Sequence, residues 1–272
     1  MKRCLCCCLA AFAVDLLSSA DAAEESFTFV QLCDTQLGMG GYEHDLEMFR
    51  LAVRQINALR PDFVLICGDL VNEAGSDSAI RDFLAVRSIL SMPCYCTPGN
   101  HDVGNDAAEN LMQTYLERIG EDRACATHHG YAFVGVNTQI WKCPPGEASA
   151  RQDEWLKRTL ESAHRDGHPI VVYGHIPLFL DTPDEGEEYF NLAPAKRHEL
   201  FALFKANGVR AYLAGHTHKN IVREHEGILY VASATTSKNF DAAPMGFRVW
   251  HVAADQLDHE YVAVEGATPP AE

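Results

Sequence analysis

Positive charge is scarce in this 272-residue chain: 22 Lys and Arg stand against 38 Asp and Glu, for a formal net charge of −16. Broad binding to nucleic acid needs Lys and Arg on phosphates, so no nucleic-acid surface is evident, and a basic patch for membrane surfaces is equally absent. A phosphorylated substrate is not excluded, because bound cations can reverse the charge locally. No long low-complexity tract, internal repeat or clear domain boundary interrupts the chain. After the first two dozen residues no apolar run is long enough to span a bilayer. Cysteine is thin once the amino terminus is set aside. Cys4, Cys6, Cys7 and Cys8 cluster there, and the other six (Cys33, Cys67, Cys94, Cys96, Cys125, Cys143) show no Cys-x-x-Cys spacing of a structural zinc site. Four of these six fall in predicted buried strands, which leaves Cys125 with Cys143 as the one disulfide pairing to consider.

The amino terminus reads as an export signal over residues 1–22. Lys2 and Arg3 precede an apolar run from Leu5 to Val14, and Ala20-Asp21-Ala22 places small residues at both positions a signal peptidase reads, with cleavage before Ala23. Asp15 interrupts the run, a buried helix is the competing reading, and a lipid anchor at Cys8 would lie too early. The expected product is periplasmic or secreted, with a main domain over 23–266, no membrane span and a flexible tail at 267–272.

Short apolar runs then alternate with helical patterns. Strands are expected over 27–33, 62–67, 93–97, 130–137, 170–173 and 209–214, and helices over 42–59, 78–90, 107–119, 150–164 and 196–206. From Ile221 only β-like runs remain, at 228–232, 247–252 and 259–264. Strands alternating with helices, then an antiparallel tail, indicate an α/β fold with a mixed sheet or two stacked sheets. The acidic, proline-containing stretch 178–195 reads as a loop that could gate access to a site.

Five apolar runs end the same way, with a polar metal-ligand type directly after the strand: Asp34-Thr35-Gln36; Gly68-Asp69-Leu70-Val71-Asn72; Gly99-Asn100-His101-Asp102; Gly174-His175; and Gly215-His216-Thr217-His218. Each piece has an ordinary reading: a turn, a core histidine, or a helix start capped by Asn100 or Asp102. All five at successive strand ends do not, because the carboxyl ends of neighbouring strands converge on one crevice. Oxygen and imidazole donors together suit manganese, iron or zinc. His44, His128 and His129 could line the cleft mouth or sit on the surface, and His225, His251 and His259 read as packed or solvent-edge residues of the β-rich tail.

The set resembles the calcineurin-like metallophosphoesterase superfamily, whose pattern is Asp-x-His, Gly-Asp-x-x-Asp, Gly-Asn-His-Asp/Glu, Gly-His and Gly-His-x-His, in this order. The resemblance runs from about residue 27 to 253. It implies a four-layer αββα sandwich of two mixed β-sheets flanked by helices, with two divalent or mixed-valence metal ions at the carboxyl ends of the strands. Carried over by motif, it assigns Asp34, Gln36, Asp69 and His218 to one metal. Asp69 then bridges to a second, which Asn100, His175 and His216 complete. It also implies that His101 faces the substrate and that Asp102 orients it. Two positions depart from the pattern. Gln36 stands where histidine is usual and is a harder, weaker donor, and Asn72 replaces the last acid of the second motif, so it is expected beside a ligand or facing substrate. The Asp-x-Gln opening is similar to a subgroup that includes animal Ser/Thr-type phosphatases with a single such domain, as are His175-Ile176-Pro177-Leu178-Phe179 and Glu188-Tyr189-Phe190-Asn191.

The reaction implied is hydrolysis of a phosphate ester by a hydroxide shared between two cations. Two divalent ions, two carboxylates and one hydroxide leave a single net positive charge, which favours a phosphate dianion. The leading expectation is a phosphomonoesterase acting on a small-molecule or protein phosphate. A phosphodiesterase or nucleotidase with the same centre, and a homologue that binds metal or phosphate without turnover, are the alternatives. The loops at 37–43 and 178–195 would set substrate size.

Overall fold

A computed structural model describes residues 26–254 and 256–267. The expected signal at 1–22 and all but the first residue of the expected tail at 267–272 lie outside the described residues. In chain order the elements are β1 (Phe27–Leu32), α1 (Tyr42–Leu59), β2 (Phe63–Cys67), α2 (Asp77–Arg87), β3 (Cys94–Thr97), α3 (Asn100–Val103) and α4 (Glu109–Arg118). There follow β4 (Ala124–His128), β5 (Tyr131–Gly135), α5 (Gln139–Lys142), α6 (Glu147–Arg165), β6 (Ile170–Tyr173), α7 (Pro194–Ala206), β7 (Val209–Ala214), β8 (Ile221–His225), β9 (Ile228–Ala232), β10 (Gly246–Ala253) and β11 (Gln256–Ala263).

The strands form two sheets, one in the order β11-β10-β1-β2-β3 and the other β4-β5-β6-β7-β9-β8. Both are mixed. In the first, β1, β2 and β3 run parallel, β10 lies antiparallel beside β1, and β11 lies antiparallel beside β10. In the second, β5, β6, β7 and β9 run parallel between antiparallel edge strands β4 and β8.

Side-chain alternation along β1 shows how the layers arise. Phe27 and Phe29 point into an apolar layer between the sheets, with Phe63, Leu65, Phe133, Tyr173, Leu213 and Trp250. Val30 and Leu32 point the other way, into a second cluster with Phe49, Val53 and Ile56 of α1 and Ile80 and Phe83 of α2. The spacing of Leu46, Phe49, Val53 and Ile56 puts one face of α1 on the sheet. On the far side, Leu156 and Leu160 of α6 and Leu200 and Phe204 of α7 cover Val134, Val172 and Tyr212. The layers run helices, sheet, sheet, helices, which is the expected αββα sandwich. Within the inter-sheet layer Gln31 is fully buried and bonds both sheets: its Nε2 donates to the Ala214 carbonyl at 2.9 Å, and its Oε1 accepts from Trp250 Nε1 at 3.1 Å.

Local differences from expectation have identifiable causes. The helix expected from 107 begins at Glu109, because Ala107 takes a left-handed φ of 48°. Strand β4 escapes sequence reading because its small and polar residues alternate between half-buried and exposed. All six cysteines among the described residues are free thiols, so the considered Cys125–Cys143 disulfide is absent. The stretch between Tyr173 and Pro194 forms the expected loop. Four backbone carbonyls of this segment, those of Leu178, Pro183, Glu185 and Leu192, accept hydrogen bonds from Arg197, which is itself fully buried.

Candidate metal centre

The five strand-end motifs converge as their position requires. Asp34 and Gln36 follow β1, Asp69 follows β2, Asn100 and His101 follow β3, His175 follows β6, and His216 and His218 follow β7. Donor atoms of Asp69, His175 and His216 lie within 4.8 Å of one another, and those of Asp34, Asp69 and His218 form a second such group. Asp69 belongs to both, the arrangement a bridging ligand needs. Within these groups His175 Nε2 stands 3.3 Å from Asp69 Oδ2 and His218 Nε2 stands 3.3 Å from Asp34 Oδ1.

The backbone is forced to bring them there. Asp34, Gln36, Asp69, His216 and His218 all have positive φ, between 34° and 67°, a region non-glycine residues enter at a cost of about 1–3 kcal/mol each. Five of the ten non-glycine residues of this kind among the described residues are expected ligands, so the strain is concentrated at one place. The neighbouring glycines are required by space. A Cβ at Gly99 would stand 2.1 Å from Asp69 Oδ1, one at Gly215 2.3 Å from Asp34 Oδ2, and one at Gly68 2.6 Å from the His175 ring.

Each imidazole is oriented by a backbone carbonyl. A carbonyl only accepts, so the ring nitrogen facing it carries the proton and the opposite nitrogen keeps its lone pair for a ligand. His175 Nδ1 donates to the Cys67 carbonyl at 2.9 Å, His218 Nδ1 to that of Lys238, and His216 Nε2 to that of Tyr189 at 3.1 Å. The same holds for His101, whose Nδ1 donates to the Asn72 carbonyl at 2.8 Å while its backbone N–H donates to Asp69 Oδ1. Asp102 therefore does not orient the His101 ring as expected. Its carboxylate accepts the N–H groups of Leu70, Val71 and Gly99, tying the second motif to the third.

Electrostatics show what the centre lacks without a cation. Burial disfavours a charged His175, yet the adjoining Asp69 carboxylate outweighs it and pushes the imidazolium up to about 10. Burial likewise disfavours an Asp69 carboxylate, and His175 overcomes this, holding Asp69 well below the usual carboxylate range. His216 is pushed down to about 3 by burial and by the positive His175, and Asp102 is pushed up to about 8 by burial and by the Asp69 charge. A proton on His175 thus stands where a cation would balance Asp69.

The residues present fit such cations. Gln36 Oε1 is buried with no hydrogen-bond partner, while its Nε2 donates to Asn72 Oδ1 at 3.2 Å. A buried amide oxygen left open is costly unless something binds it, and Asn72 is the residue that turns it. Asn100 places Oδ1 3.2 Å from His175 Nε2.

Sequence reading missed several supporting residues. Thr138 Oγ1 accepts the backbone N–H groups of His175 and Ile176, and Ser237 Oγ donates to the Asp34 carbonyl. Tyr189 accepts from Asn100 Nδ2 at 3.0 Å through its hydroxyl, and its ring packs tilted against His216 with centroids 5.0 Å apart. Lys142 donates to the carbonyls of Glu188 and Asn191, holding the Tyr189 loop to α5. Thr138, Ser237 and Lys142 carry no motif, and only the Glu188–Asn191 stretch signalled Tyr189.

Fold and site together define a metal-dependent hydrolase of phosphate esters. The chain belongs to the calcineurin-like phosphoesterase family, which it matches over residues 27–220 and whose members use a binuclear metal centre. Over 265 residues it is 31% identical to the serine/threonine-protein phosphatase CPPED1 of Danio rerio, covering 88% of this chain and 85% of that protein. Its fold matches a dimetal phosphatase structure from Danio rerio with a TM-score of 0.66 at 15% identity, over 86% of this chain and 95% of the other. It also matches GAP50, the anchor in the inner membrane complex of Plasmodium, with a TM-score of 0.67 at 16% identity, over 90% and 86% of the two chains.

Proposed function

We propose that this chain is a phosphomonoesterase whose two cations are held by Asp34, Gln36, Asp69 and His218 on one side and by Asp69, Asn100, His175 and His216 on the other. The observation that carries this reading is the position of Asp69 in two donor groups at once, with His101 bonded to it through the backbone. When bound, such cations supply Lewis acidity toward phosphoryl oxygens and activate water. The donors are oxygen and imidazole without thiolate, which suits manganese, iron or zinc, and the Gln36 amide shifts the first site toward the harder ions.

His101 is the proton donor of the proposal. With Nδ1 committed to the Asn72 carbonyl, Nε2 is the nitrogen that meets the phosphoryl group and, in the imidazolium form, passes a proton to the leaving oxygen. Asp102 acts through position, bracing the loops that carry Asp69 and His101.

The leaving group has a place to go. A cavity of about 550 Å³ adjoins Asn100 and His216 and is lined by Asn105, Gln139, Lys142 and Tyr189 among others. Gln139 is buried, its Nε2 donates to the Asn105 carbonyl, and its Oε1 is enclosed without a hydrogen-bond partner. The relation to a serine/threonine-protein phosphatase supports a phosphoprotein substrate.

Replacing His101 with Ala tests the assignment. General acid help is worth about 10²–10⁴-fold, so kcat on a phosphomonoester should fall by that range while metal content per chain stays that of the parent. A variant that instead loses its metals would show that His101 supports the centre and does not transfer the proton.

A further inference from the structure

A second group of metal-ligand side chains lies at the other pole of the sandwich. Asp62 precedes β2, whereas Asp69 follows it, so the two are separated along the strand by roughly 20 Å at about 3.3 Å per residue. Donor atoms of Asp62, His128 and His129 all lie within 4.8 Å of one another. Nothing in the phosphoesterase chemistry uses them.

We propose that Asp62, His128 and His129 form a third metal site, of the zinc class, that clips one sheet to the other. Asp62 leads into a strand of the first sheet, and the two histidines lie at the β4–β5 hairpin of the second.

The geometry carries this in three ways. His128 Nε2 stands 3.5 Å from Asp62 Oδ1, too long for a hydrogen bond. Two donors at about 2.0–2.1 Å on a tetrahedral ion stand about 3.3–3.5 Å apart, so the separation suits a shared cation. His128 Nε2 is also buried without a hydrogen-bond partner. The Asp62 carboxylate is already oriented, since its other oxygen accepts the Thr28 N–H at 2.8 Å, the kind of outer contact that aims a ligand.

The rings are fixed as well. His128 packs edge-on against Phe27 and Phe63 at 5.0 and 5.1 Å, and His129 stacks on Phe27 at 5.5 Å. His128 pairs with Tyr131 across the hairpin, leaving His129 and Gly130 as a two-residue turn with φ of 42° and 79°, the primed geometry that suits a twisted hairpin. The turn alone explains the backbone of His129. It does not explain why two imidazoles and a carboxylate from different sheets converge there.

Equilibrium dialysis of the full chain against micromolar Zn²⁺, with metal counted per chain, tests the site. Two variants keep local structure: His129→Asn, because Asn tolerates positive φ, and Asp62→Asn, whose amide oxygen can still accept the Thr28 N–H. Each should bind one zinc fewer than the parent, with hydrolysis of p-nitrophenyl phosphate unchanged. An equal count in parent and variants would overturn the proposal. So would a loss of zinc accompanied by loss of activity, which would place that ion at the phosphoesterase centre.

Discussion

Gln36 and Asn72 are the two positions at which the motifs depart from the pattern that the resemblance implies, and they are hydrogen-bonded to each other. The Asn72 amide oxygen holds the Gln36 NH₂, so the Gln36 oxygen is the atom left open in the buried centre. The paired departures thus read as one compensated change. Residues that orient a ligand typically control metal affinity by about 10–100-fold. Asn72→Ala should weaken binding of the more loosely held metal by that factor, measured by competition with a chelator, while Asn72→Asp should retain more of it. An unaltered affinity in Asn72→Ala would remove Asn72 from this role. At this scale the convergence of the candidate ligands was legible in sequence, because a motif states which side chain follows a strand. The orienting contacts were not, because the partners of the imidazoles are carbonyls of Cys67, Tyr189 and Lys238, and a carbonyl leaves no mark on residue identity.

The loop between β6 and α7 shows how an element without helix or strand is given a shape. Arg197 binds four of its carbonyls, and the Glu185 carboxylate accepts the N–H groups of Leu180, Asp181 and Thr182 and the Asn191 amide. The loop in turn places Tyr189 against Asn100 and His216. Burial opposes the Glu185 charge, but these four donors prevail and lower its pKa from 4.5. A carboxyl whose folded value is depressed contributes stability above its unfolded value and loses it as pH falls through the folded value. Backbone amides at 180–182 should therefore hold their hydrogen-exchange protection above about pH 4.5 and lose it on further acidification. Glu185→Gln should remove the pH dependence. Protection that is independent of pH in the parent would contradict the account. Sequence reading recognised a loop from its acidic residues and prolines and allowed that it could gate the site. Sequence does not single out Glu185, because an inward-turned Glu185 cannot be told from its exposed neighbours without knowing where Arg197 and Asn191 lie.

The whole molecule is two sheets pressed face to face, and its alternating strands were readable because β2 and β6 are uninterrupted apolar runs and β1 and β7 are broken only at Thr28, Gln31 and Arg210. Edge strands β4 and β8, half exposed, were the hard part, since burial on one side leaves only a weak apolar signal. Gln31 is a buried polar tie in the inter-sheet layer, with partners from β1's own sheet through Trp250 and from the opposite sheet through Ala214, whose carbonyl Cys33 Sγ also reaches. Gln31→Leu would strand the Trp250 N–H, at about 1–3 kcal/mol for a group left unsatisfied, while the Ala214 carbonyl keeps the Ser233 N–H. The midpoint of urea unfolding should fall accordingly, and an unchanged midpoint would show that the tie is neutral. The central claim concerns the centre at the strand ends, and the most direct measurement is hydrolysis of p-nitrophenyl phosphate and of its bis-ester by metal-stripped protein, titrated with manganese, iron or zinc. The account predicts that activity on the monoester returns with metal, exceeds that on the bis-ester, and is lost in Asp69→Asn together with metal binding. No hydrolysis of either ester by protein carrying two ions per chain, or full activity in Asp69→Asn, would contradict it.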